Sequence, residues 1–157
     1  MFPRLTFQEA ARILRDDSRY VIRMENWRTL NRAGERELMR YCGGAVWVTH
    51  WDHLAVPFYQ AFAEDGSACN ADLLIGVGEV IGLGQRHSDG AQVRRALDLH
   101  QVEQGAYQWY IDLKDQKPLL TSGFGMGVER YLLWLLSHSD IRDLQLLPRM
   151  NGYSIIP

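Results

Sequence analysis

The sequence predicts an α+β domain, and three observations carry that prediction. Capped, helically spaced segments open the chain, β-branched and aromatic runs broken by turns occupy its middle, and a glycine-rich stretch then runs straight into an apolar helix. Thr6 stands three residues before Glu9, with Phe7, Ala10, Ala11 and Leu14 following at helical spacing, so a capped amphipathic helix starts there. A second helix starts from Asn31 and turns Leu38, Met39 and Cys42 inward until Gly43-Gly44 stops it, although Gly34 is a poor residue for its interior.

From Ala45 the pattern changes to that of strands. Ala45 to His50 and Val56 to Phe62 read as neighbouring strands, and the Glu64-Asp65-Gly66-Ser67 turn leads into a third between Ala68 and Gly78. An antiparallel meander is the economical arrangement. Ala91 to Gln104 alternates Val93, Ala96, Leu97 and His100 with Arg94, Arg95 and Asp98, the signature of a surface helix. Val128 to Leu136 is apolar on nearly every face and is therefore expected to cross the interior.

Composition bounds the function. At 157 residues, 46% hydrophobic and with a formal charge of -2, the chain can form one soluble domain, residues 1–157, with a sizeable core. It lacks the basic surface of a protein that neutralises many phosphates of a nucleic acid. Cys42 and Cys69 match no metal spacing, no leader is visible and no apolar run is long enough for a bilayer, so the expectation is a reduced, cytoplasmic protein. His50 and His53 lack a cysteine or carboxylate at ligand spacing and are expected as solvated loop residues rather than zinc ligands. Trp47, Trp51, Trp109 and Trp134 read as core or interface aromatics, since their basic neighbours are few.

Two segments carry candidate chemistry. In Ser122 to Arg130 three alternate glycines, Gly123, Gly125 and Gly127, precede a helix whose first turn holds Arg130. Backbone can approach a flat or charged ligand at glycine, a helix N-terminus favours anions and arginine suits phosphate. A tight strand-to-helix connection explains the same glycines without a ligand. In Gly76 to His87 the acid Glu79 and the base Arg86 are seven residues apart, which on a regular strand puts them on opposite faces. A bulge or turn at Gly82 and Gly84 would bring both into one cleft, the carboxylate suited to magnesium and the guanidinium to a carboxylate or carboxamide. The alternative is an edge-strand ion pair.

The phrase Thr121-Ser122-Gly123-Phe124-Gly125-Met126-Gly127-Val128-Glu129-Arg130, with Ile141-Arg142-Asp143 and Leu147-Pro148-Arg149 after it, resembles the third signature motif and C-terminus of the class II asparaginyl- and aspartyl-tRNA synthetases. Phe2 to Ala10, Pro57-Phe58-Tyr59, Asp72-Leu73-Leu74, Gly78 to Gly82 with Gln85-Arg86, and Trp109 to Leu113 resemble further landmarks of that family, in its order. Trp109-Tyr110 and the Ser122-Gly123-Phe124 junction make the asparaginyl branch the closer likeness.

The resemblance implies an antiparallel sheet flanked by helices on which ATP and an amino acid, asparagine or aspartate, form an aminoacyl-adenylate. It implies Arg130 on the γ-phosphate, Gly123, Gly125 and Gly127 along the adenosine, and Glu79 holding ATP through Mg2+. Arg86 would read the substrate side chain, with Gln85 beside it and Tyr59 bordering the pocket.

The sequence also departs from the family pattern. It starts after the family's first two motifs and lacks its anticodon-binding barrel, so the resemblance implies the second half of a catalytic domain, without the arginine that contacts the α-phosphate. Leu83-Gly84 replaces a Gly-Ser pair, Thr121 a histidine, Ala33-Gly34-Glu35 a Glu-His-Glu site and Lys114-Asp115 an Arg-Arg pair. The expected function is ATP-dependent amino-acid activation or amide formation completed by a second copy or a partner protein, without tRNA charging by this chain alone. The alternatives are a non-catalytic paralogue that binds a ligand or another protein, and reuse of the cleft for other chemistry with Glu79, Asp72 and His87 as acid–base groups.

Overall fold

The computed structural model describes residues 1–147 and 151–152; the Pro148-Arg149 part of the C-terminal resemblance lies outside them. Seven strands and five α-helices follow one another as β1 (Arg4–Thr6), α1 (Phe7–Ile13), β2 (Val21–Arg23), β3 (Arg28–Leu30), α2 (Arg32–Tyr41), β4 (Ala45–Thr49), β5 (Asn70–Ile75), β6 (Gly78–Gln85), α3 (Gly90–Leu99), α4 (Gln108–Gln116), β7 (Ser122–Met126) and α5 (Val128–Leu135). Five strands form one sheet in the order β1-β4-β5-β6-β7, and β2 and β3 form a separate hairpin. The β4-β5-β6 meander is antiparallel as expected and β7 extends it, whereas β1 runs parallel to β4.

Local chemistry places the first helices. Thr6 and Glu9 cap α1 reciprocally, the Glu9 carboxylate accepting from the Thr6 N–H at 2.7 Å. Asn31 Oδ1 accepts from the Gly34 N–H at 2.9 Å and caps α2. Gly34, unfavourable by propensity, sits where α2 touches the Tyr20 backbone, and a Cβ there would collide with the Tyr20 carbonyl. Phe7, Ala10 and Leu14 of the first segment and Leu38 and Met39 of α2 pack with Val46, Val48 and Leu74 on one face of the sheet.

Three expectations fail for identifiable reasons. Val56 to Phe62 is not a strand: it follows a 3-10 turn at His53–Ala55 and forms isolated bridges, Gln60–Arg86 and Phe62–Ala68, instead of a ladder. Pro57 has no N–H to donate, and its carbonyl instead accepts from Gln60 N, closing a turn. The helix expected to reach Gln104 ends at Leu99, because Gln101 adopts a left-handed φ of 55°. The apolar helix α5 does not cross the interior. Tyr131 packs on the Ala45, Leu73, Ile75 and Val80 cluster and Leu133 is buried, while Val128, Leu135 and Leu136 are exposed. Among the described residues nothing covers that second side.

His53 is a further correction, and the tryptophans divide between core and surface. His50 is half-buried, but His53 is only 5% exposed, stacked on Phe62 with ring centroids 3.9 Å apart. Its Nε2 lies 2.8 Å from the Gln60 carbonyl oxygen, which can only accept, so that nitrogen carries the proton. Nδ1 must then accept, and its partner 2.9 Å away is His100 Nε2. Burial holds His53 neutral and lowers its pKa to about 4. Trp51 is buried in the core, while Trp109 and Trp134 are exposed.

Candidate functional site

A β-bulge in β6 builds the cleft. Leu73 pairs with Ile81 and the next residue, Leu74, with Glu79, leaving Val80 as the extra residue. Val80 turns into the opposite face with Leu73 and Ile75, and the alternation is reset. Glu79 and Arg86, seven apart in sequence, therefore share one face. The reset occurs at Val80, not at Gly82 or Gly84.

Those two glycines have a different task. Gly82 pairs with Gly125 and Gly84 with Gly123, so a flat patch without side chains spans β6 and β7. Functional groups lie over this floor. A Cβ on Gly82 would meet Glu79 Oε1 at 2.6 Å, one on Gly123 would meet Arg86 Nη2 at 3.2 Å, and one on Gly84 would occupy the place of the Gln60 amide. Gly125 faces open space. The cleft holds about 690 Å³ between Tyr59, Gln60, Asn70, Asp72, Glu79, Arg86, Gly125, Gly127 and Arg130.

Arg86 is held from three sides. Its Nη1 donates to Gln60 Oε1 at 2.9 Å and to the Gly84 carbonyl at 2.8 Å, and its guanidinium lies 4.8 Å over the Tyr59 ring. At the other end Arg130, on the first turn of α5, donates through Nη1 to the Glu79 carbonyl at 2.7 Å, with the Glu79 carboxylate 4.0 Å away. That ion pair is half exposed and adds little stability. Between the two cations stand the acids. Burial, then the neighbouring carboxylates of Glu79 and Glu35, raises Asp72 to about 7. Burial and Glu79 likewise raise Glu35, which borders an adjoining cavity from α2 together with Glu79 and Arg130.

Most of the expected site residues are thus brought together: Tyr59, Glu79, Arg86, Gly125, Gly127 and Arg130 line the cleft, and Gly123 lies beneath Arg86. Gln85 is not. The alternation that turns Arg86 inward turns Gln85 to the opposite face, where it borders another cavity with Leu83, Ser122 and Trp47. His87 is also away from the acids: it is fully buried and donates from Nε2 to the Phe58 carbonyl at 2.8 Å. Conversely, Gln60 and Asn70 line the cleft although no local motif marks them, and so does Asp72, in the sequence a family landmark and an acid–base option. The signal for Asp72 is its register opposite Gly82, which pairing reveals and sequence does not.

A flat floor beneath two fixed cations suits a planar ring carrying anionic groups. The donor set also fits a magnesium ion. Among the described residues no group of three or more acids, histidines or cysteines could hold a metal unaided. Glu79 and Asp72 offer the one or two carboxylates with which that ion is bound when phosphates and water supply its other ligands.

Known proteins share the fold that carries this cleft. The family model of tRNA synthetases class II (D, K and N) matches residues 1–151. The asparagine–tRNA ligase of Rhodopirellula baltica is 33% identical over 155 residues, covering 96% of this chain and 31% of that protein. The crystal structure of asparaginyl-tRNA synthetase from Pyrococcus horikoshii superposes with a TM-score of 0.83 at 28% identity, over 97% of this chain and 36% of that one. The Entamoeba histolytica asparaginyl-tRNA synthetase in complex with asparaginyl-adenylate gives 0.83 at 25% identity, over 97% of this chain and 35% of that one. The chain spans about a third of the length of the relatives it matches. Among the described residues no helix is long and apolar enough to cross a membrane.

Proposed function

Because the chain belongs to the class II tRNA synthetases (D, K and N), we propose that its cleft binds ATP with Mg2+ and asparagine or aspartate, and supports adenylate or amide formation. The observation that carries this reading is the bulge at Val80, which sets Glu79 and Arg86 on one face above a glycine floor with Arg130 at its end. In this reading adenosine lies along Gly123, Gly125 and Gly127, and Arg130 leaves the Glu79 carbonyl for the γ-phosphate. Glu79, with Asp72 beside it, holds the magnesium ion, whose charge offsets that of the triphosphate. Arg86, oriented by Gln60 and Tyr59, takes the side-chain carboxamide or carboxylate. Gln85 has no part.

Adenylation depends on charge stabilisation and positioning, which fixed guanidinium groups provide, more than on a protein acid or base. The wall facing the α-phosphate lies, in this reading, outside these residues. The chain's near-neutral charge favours a small acceptor over tRNA.

The test is calorimetric titration with ATP and Mg2+, followed by exchange of pyrophosphate into ATP with asparagine or aspartate, with and without a candidate partner. Arg130→Ala should weaken ATP binding about tenfold or more, as loss of a charge-assisted contact does. ATP binding that ignores Arg130, or none at all, would refute the reading. The second reading is a non-catalytic, protein-binding paralogue, favoured by the edge of β7, unpaired among the described residues, and by Phe124, which is 74% exposed. It predicts ligand binding or self-association without exchange.

A further inference from the structure

Behind the Tyr59–Arg86 pair lies a second cavity, of about 460 Å³. It shares those two residues with the cleft and contains none of the cleft's acids or glycines. Its walls are aromatic and aliphatic: Phe58 and Tyr107 meet edge to face with centroids 4.6 Å apart, and Tyr110 and Leu113 come from α4. Its charged lining is cationic throughout, from Arg86, Lys114 and Lys117.

Lys114 is the unusual member. It is only 4% exposed, yet among the described residues no carboxylate lies within 4.0 Å of its ammonium, which donates to the Leu119 carbonyl at 2.8 Å. The ammonium stands 5.9 Å from the Tyr110 ring centroid. A buried cation with one of its three donors satisfied and no counter-charge among the described residues is costly to leave so. Tyr110 lines the same cavity as Arg86. An apolar chamber whose charged lining is only cationic calls for an anion at those cations and a hydrophobic body over the rest. The volume falls within the usual range for a small ligand.

We infer that this cavity binds a small hydrophobic carboxylate of the arylalkanoate class. The ring is seated among Phe58, Tyr107 and Tyr110, and the carboxylate is directed to Lys114 and Arg86. The inference goes beyond the proposed function and does not require it: Arg86 is common to both sites, but no residue assigned to the nucleotide takes part.

The test is calorimetric titration of the full chain, without nucleotide, with indole-3-propionate and with its uncharged amide. The acid should bind in the submillimolar range and the amide about tenfold or more weaker, the scale of one charge-assisted contact. Lys114→Met should abolish the preference for acid over amide. Leu113→Glu, at a position 53% exposed and therefore safe for folding, should weaken the acid about tenfold. Equal affinity for acid and amide, binding untouched by Leu113→Glu, or no saturable binding up to about 10 mM would overturn the inference. ATP is titrated separately against Arg130→Ala. A chain that takes the acid but not ATP thus loses the proposed function and keeps this site.

Discussion

The two halves of the sheet differ in what their side chains do. On the β1-β4-β5 side, Val46, Val48 and Leu74 are covered by α1 and α2, and the layer is closed by Phe7, Leu38 and Met39. On the β6-β7 side the same face carries Gly82, Gly84, Gly123 and Gly125, and the outer strand and α5 leave Phe124, Val128 and Leu135 in the open. The first half is built for stability and the second for contact. Glycine has no side chain with which to form a core, so the residues that make the floor accessible are those that cannot help hold it together.

The comparison can be tested from its strong side first. Leu38→Ala, fully buried in α2, should cost about 2–5 kcal/mol in urea unfolding. A smaller cost would mean that the closed half is looser than its packing indicates. The next effect in size depends on pH. His53 has a folded-state pKa of about 4 against an unfolded value of about 6.5, so its contribution is fully present above pH 6.5. It is lost progressively as pH falls from there towards 4, to a total of about 3 kcal/mol. Unfolding curves between pH 7 and 4 should slope accordingly, and His53→Gln should flatten them.

Smaller still is a change in the floor. A side chain in Gly84→Ala takes the space of the Gln60 amide and should loosen Arg86, weakening binding of asparagine or aspartate about tenfold. Stability should change less than in Leu38→Ala, and equal losses of stability would mean that the floor is structural after all. The smallest effect belongs to the exposed edge: Phe124→Ser should stay within about 0.5 kcal/mol of the parent chain. A larger loss would show that something covers β7 in solution.

What the sequence revealed follows the range of the interactions involved. The caps at Thr6 and Asn31 involve residues three apart and are legible without a structure. Which residues would line the cleft was legible through the family likeness and the types of Glu79, Arg86 and Arg130. Its assembly was not, because the Val80 bulge exists only relative to β5 and the neighbouring glycines were the obvious place to put it. His53 was misread because its partner His100 is 47 residues away. The helix α5 differs from expectation because hydrophobicity on all sides states what a helix tolerates, and the described residues cover only one of them.

The bulge at Val80 makes the cleft sensitive to length rather than to chemistry. Losing that one codon would leave every acid, base and glycine in the gene, yet the register would close by one residue and Glu79 would face away from Arg86. Among descendants of such a gene, the mark of an abandoned cleft is then a missing or added amino acid between Glu79 and Gly82, visible in a count of residues while each functional letter still stands.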